Sequence, residues 1–190
     1  MKIAAIAPLL FAALACATLA HSAELPQLAG CYERVYDAAH LAAAHKGQII
    51  RRVKLRVGPS AHGKADPAEK QPIVADAGME MWVVGRETVF DTIGACRAEG
   101  DALVCNASLS AYEADLCKST RDGVRDCRIS HGESGSFRLS RKEDALLVSV
   151  RERLEMDASG VDAGPWLYLS PDNPENHDFL LKPAPDAACK

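Results

Sequence analysis

The sequence predicts an all-β domain, an antiparallel meander of roughly ten short strands closing into a barrel, with a β-sandwich as the alternative way to bury one face of each strand. Three observations predict it. Apolar residues recur with period two rather than with the helical period. The breaks between apolar runs are short and carry Gly, Asp and Pro, which is hairpin chemistry. Six cysteines in the body of the chain stand where they can staple those hairpins.

The chain opens on Met1-Lys2, an apolar run from Ile3 to Ala15, and the small residues Ala17-Thr18-Leu19-Ala20. One positive charge, a short greasy stretch and a small-residue zone read as a secretory signal over 1–23, its end lying between 17 and 23. Cleavage after Ala20 fits better than after Ala23, which would place His21 at a small-residue position. Ala13-Leu14-Ala15-Cys16 loosely matches a lipobox with the Leu one place late, so lipidation of Cys16 is the alternative. The apolar run is shorter than the ~20 residues a membrane helix needs. The remaining 24–190 is one domain's worth of chain, expected to be periplasmic or secreted. Of 22 basic residues only Lys2 lies in the signal, leaving 21 against 26 acidic. A mildly acidic domain argues against nucleic-acid binding, and no second apolar run reaches membrane-spanning length.

The elements follow in order. A first strand falls at 31–36. One short helix is expected near 37–46, with Asp37 as its cap, an Ala-rich body and Gly47 at its end. On the next strand Ile49, Val53, Leu55 and Val57 alternate with Ile50, Arg52, Lys54 and Arg56. Residues 58–72, with three prolines, read as an exposed loop. Met79, Met81 and Val83 alternate with Glu80, Trp82 and Val84. Gly85-Arg86, Gly100-Asp101, Asp122-Gly123 and Lys142-Glu143-Asp144 separate further strands at 88–96, 102–109, 112–117, 126–130 and 135–141. The longest run, 145–156, sets Leu146, Val148, Val150, Leu154 and Met156 against Leu147, Ser149, Arg151, Arg153 and Glu155, and suits a curved barrel strand. Residues 157–165 read as loop and 170–177 as a tight, rigid turn, with short strands at 166–169 and 178–182. The opening Leu28-Ala29-Gly30-Cys31-Tyr32-Glu33 resembles the first-strand motif of lipocalins, in which Gly is followed two places later by Trp; Tyr32 stands in that place. The resemblance implies a lipocalin-like barrel.

Beyond Cys16 the cysteines are Cys31, Cys96, Cys105, Cys117, Cys127 and Cys189. In an exported protein six cysteines read as disulfides. If Gly100-Asp101 is a two-residue loop, Cys96 faces Cys105 directly. Cys117 and Cys127 flank Asp122-Gly123 with the same gap, and a bulge or longer loop brings them into register. Cys31 and Cys189 remain, and their bridge would tie the tail to the first strand. No Cys-x-x-Cys or close zinc-type pair occurs.

Three constellations bear on function. Asp37 and His40 share one side of the expected helix, but His45 is badly spaced for a common metal site, so a capping Asp with two half-exposed histidines is the simpler reading. Arg51 and Glu152 fall in the apolar phases of their strands; pointing inward, they would pair or line a polar cavity, unless they lie at the strand ends and reach water. Arg52, Lys54 and Arg56 form an outward basic row, with Arg151 and Arg153 on another strand. Gly132-Glu133-Ser134-Gly135 lacks the residue a nucleophile elbow needs before its last Gly. There is no phosphate-binding Gly loop and no His-Glu-x-x-His, and Asn106-Ala107-Ser108 fits a glycosylation sequon. No cofactor and no catalytic residue is assigned. The expected function is a non-enzymatic binding protein for a small ligand, with Arg51, Glu152, Met79 and Met81 as ligand-binding residues beside Val150 and Leu154. The alternatives are an interaction protein with one protein partner, such as a hydrolase inhibitor or immunity protein acting through 170–177 or 58–72, and a hydrolase without a recognisable motif.

Overall fold

A computed structural model describes residues 28–43, 47–60, 72–108, 134–158 and 165–190. The signal segment, His45 and the Cys117–Cys127 pair lie outside the described residues. The strands are β1 (Gly30–Val35), β2 (Ile50–Pro59), β3 (Ala75–Val83), β4 (Val89–Glu99), β5 (Ala102–Ser108), β6 (Ser136–Lys142), β7 (Ala145–Val150), β8 (Leu154–Ala158), β9 (Leu167–Leu169) and β10 (Asp178–Ala184). One six-residue helix, α1 (Ala38–Ala43), follows β1, and a 3-10 turn, Asp186–Cys189, follows β10.

Strands β1 to β7 are antiparallel neighbours in chain order, and β3 pairs with β4 as part of that meander. β10 enters between β7 and β1, so eight strands form a closed antiparallel ring. This is the barrel, and closure rules out two stacked sheets. One departure from a plain meander is the β8–β9 hairpin, which leaves the ring after β7 and pairs with the start of β4 at Phe90 and Asp91, beyond the reach of β5.

The alternation places the expected apolar sets inside. Val53, Leu55, Val57, Met79, Met81, Leu103, Leu139, Val148 and Phe179 are buried in one continuous core that also takes in Leu154 and Met156 of β8. Each such side chain contributes about 1.5–3 kcal/mol of burial. The turns behave as their chemistry requires: Gly85 and Gly100 take positive φ, and so does Glu143 in the Lys142–Ala145 turn. Asp37 caps α1 as expected, its Oδ1 accepting from the His40 N–H at 2.7 Å.

Among the described residues two of the expected disulfides are present, Cys96–Cys105, which the spacing predicts, and Cys31–Cys189, the pair left over. The first bridges directly facing residues across the two-residue Gly100-Asp101 loop. The second ties the tail to β1.

The 170–177 segment is stapled by one side chain. Asn176 is 1% exposed. Its Oδ1 accepts from the Ile49 N–H at 2.9 Å and its Nδ2 donates to the Gly47 carbonyl at 2.9 Å. The Ile49 carbonyl accepts from the Val84 N–H at 2.8 Å on one side of this segment, and the amide of Asn176 serves the other. Asn176→Leu is expected to lose about 1–3 kcal/mol in urea unfolding, because it leaves the Ile49 N–H and the Gly47 carbonyl without the partner that the buried amide supplies. A loss below ~0.5 kcal/mol would show that water replaces the staple.

Candidate binding groove

Apolar phase points Arg51 and Glu152 inward unless they reach water near the strand ends; the structure exposes both to solvent. β2 carries a bulge at Arg51: Ile50 faces Val83 and Arg52 faces Trp82, which leaves Arg51 as the extra residue. A bulge flips the phase. Ile50 is therefore fully buried while Ile49 is exposed, and Arg51 turns out to solvent, where its Nε donates to the Val83 carbonyl at 3.3 Å. Glu152 fails for a different reason. The 145–156 run is not one strand. It breaks at 151–153, where the N–H groups of Arg151 and Glu152 both donate to the Ser136 carbonyl, at 2.9 and 3.3 Å. The apolar phase resumes at Leu154, but Glu152 lies on the bend and is exposed.

Met79 and Met81 do point inward, but at 1% and 0% exposure they are packing residues. Val150 and Leu154 are likewise sealed at 4% and 0%. All four belong to the continuous apolar core, and of them only Met79 also borders the open space described below. At the α1 end of the barrel, His40 Nε2 lies 3.1 Å from Gln48 Oε1, and its ring stacks obliquely on Tyr36 at 5.0 Å. Burial raises the Tyr36 phenol above its ordinary pKa, against the opposing pull of the Arg34 guanidinium. Asp37 is occupied as the cap. Among the described residues no group of three or more His, Cys, Asp or Glu is placed to hold a metal.

The open space is on the outside. A groove of about 340 Å³ crosses the outer face of β2, β3, β4 and β8. Pairing registers explain its walls, since facing residues on neighbouring strands project to the same side. Arg56 faces Gly78, and Gly78 faces Ile93. One pair further along, Lys54 faces Glu80, Glu80 faces Asp91, and Asp91 faces Asp157 of β8. Gly78 is the floor: a Cβ there would meet nothing within 4 Å. Ile93, 53% exposed, forms an apolar flank. Cys189 of the C-terminal turn closes one end, and Ser134 and Glu155 line the other.

The outward basic row expected on β2 is there. Arg52 pairs with Glu33 and lies over the Trp82 ring at 4.8 Å, and Lys54 Nζ approaches the same ring at 5.4 Å. Arg56 has no ion-pair partner among the described residues, nor do Glu80, Glu155 and Asp157. Sequence alternation already put Lys54, Arg56, Glu80 and Glu155 on outward faces. It gave no register between β4 and β8, and without that the acidic wall is invisible. Of the expected ligand-binding residues, only Met79 borders the groove, at its floor.

The fold and the groove define an eight-stranded antiparallel barrel with one apolar core and a charged outer cleft. Comparison of this chain with protein-family models, curated proteins and solved structures finds no match to any of them.

Proposed function

We propose that this is a non-enzymatic, exported binding protein, periplasmic or secreted, that holds a small ligand in the groove over Gly78 rather than inside the barrel. Its two disulfides suit an oxidising compartment. The observation that carries the reading is an open concavity with charges of both signs converging on a residue without a side chain. Concave sites with a few convergent polar groups are where small ligands bind.

A barrel whose described inward side chains pack into one core also supports the second reading, an interaction protein. The loop between Ser170 and His177, held rigid by Asn176, is the surface it would present.

Gly78 provides the test. It lies within β3 without positive φ, so a larger residue fills the groove without backbone strain. Native mass spectrometry of protein purified from its own host is expected to show a retained small mass on the wild type and none on Gly78→Trp. Retention by Gly78→Trp would move the site elsewhere. A wild type that carries a protein partner instead would favour the interaction reading.

A further inference from the structure

We infer that the groove recognises a short peptide in its zwitterionic form, two or three residues long, by its two free termini. This rests on the groove being the binding site. The argument is the order of charges across the sheet. On β2 stand Lys54 and Arg56. On the far side stand Glu155 and Asp157 of β8, with Glu80 of β3 between them. A simple anion would meet Arg56 but lie beside carboxylates. A simple amine would meet the carboxylates but lie beside Arg56. A ligand with a carboxylate at one end and an ammonium at the other satisfies both walls.

The length follows from strand geometry. Neighbouring strands lie about 4.8 Å apart, so the β2 and β8 backbones, three spacings apart, are separated by about 14 Å, less what Arg56 on one side and Glu155 or Asp157 on the other reach inward. An extended chain advances at most about 3.3–3.6 Å per residue, so two or three residues bring the terminal charges to opposite walls. Between the walls, the vacancy over Gly78 takes the peptide backbone, and Ile93 offers an apolar surface to a side chain. The acidic wall suits an organic ammonium, since its carboxylates do not converge in the manner of metal ligands.

Tri-alanine, its N-acetyl form and its C-terminal amide are the probes, titrated into the full exported protein and followed by backbone amide NMR. Tri-alanine is expected to shift the amides of Gly78, Glu80 and Asp91. Each capped form should bind at least about tenfold more weakly, equivalent to 1.4 kcal/mol. Arg56→Gln should lose the discrimination against the amide and keep that against the acetylated form. The Glu155→Gln, Asp157→Asn double variant should do the reverse. Arg56 is exposed and Glu155 and Asp157 are half-buried, so none of these three positions belongs to the core and the variants are expected to fold. Equal binding of the three probes, or no shift at the groove with tri-alanine, overturns the inference. If tri-alanine fails while Gly78→Trp still strips a retained mass from the protein, the groove stands as the site and only the peptide class falls.

Discussion

Gly135→Ala is expected to destabilise the protein by about 3–5 kcal/mol, in the range reserved for gross steric or backbone faults. Gly135 has φ +92°, a conformation L residues rarely adopt, and a Cβ built on it would lie 2.0 Å from the Arg153 carbonyl oxygen and 2.9 Å from the Leu154 Cα. Those are backbone atoms and cannot rotate away. The contact exists because the bend after β7 wraps over the Ser134–Ser136 segment: Arg151 and Glu152 donate to the Ser136 carbonyl, and the Glu155 N–H donates to the Ser134 carbonyl at 2.9 Å. A methyl group at 135 must push the bend outward, and β8 with it. Gly100→Ala is the control. Gly100 also has positive φ, +64°, but a Cβ there meets nothing within 4 Å. It should cost only about 1–2 kcal/mol, the penalty of the left-handed conformation itself. Urea unfolding of the two variants measures the difference. Equal losses would show that the bend yields and that conformation alone matters at 135.

Gly135 also marks where sequence reading stops. Gly132-Glu133-Ser134-Gly135 is legible as a failed nucleophile elbow, yet nothing local says that the Arg153–Leu154 backbone passes so close to Gly135. What was legible was what period two and turn length determine: the inward sets on β2, β3 and β7, the facing of Cys96 and Cys105 over a two-residue loop, and the capping of α1 by Asp37. What was not legible depends on a single inserted residue or on pairing between distant strands. Arg51 looks inward only if alternation runs unbroken through β2, and one bulge reverses it. Glu152 looks inward only if β7 and β8 are one strand; because the bend restores the apolar phase at Leu154, the sequence looks the same with or without the break. The groove combines both problems. Its basic wall follows from alternation, while its acidic wall is assembled by the Phe90–Ala158 and Asp91–Asp157 pairings, which no hairpin spacing encodes.

The bridge Cys31–Cys189 is expected to be the strongest single contributor among the covalent links, and the Cys31→Ser, Cys189→Ser double variant should lose up to about 5 kcal/mol. The sequence separation is 158 residues, against 9 for Cys96–Cys105. Chain entropy grows with the logarithm of loop size, so the short bridge should contribute only about 2.7 kcal/mol by the same relation. Topology points the same way. In a closed ring every strand pairs on both sides, and the ring here is sealed where β1 meets β10. That ladder has only three facing pairs, Cys31 with Ala184, Tyr32 with Pro183 and Glu33 with Lys182, and Pro183 has no N–H to donate. By comparison, β2 and β3 are matched along nearly their whole length. The disulfide therefore sits at the thinnest seam of the barrel, holding the Asp186–Cys189 turn against β1 and β2, where the Cys189 Sγ lies 3.5 Å from the Leu55 carbonyl oxygen. Because Cys189 also closes one end of the groove, the double variant should lose ligand affinity as well as stability, even under conditions where it remains folded. Removing Cys96 and Cys105 should lower stability less and leave the groove unaffected. Urea unfolding and peptide titration on both double variants separate the cases. If the two losses of stability are equal, or if the seam variant binds as the wild type does, the tail is anchored by its own packing and the bridge at the seam is redundant.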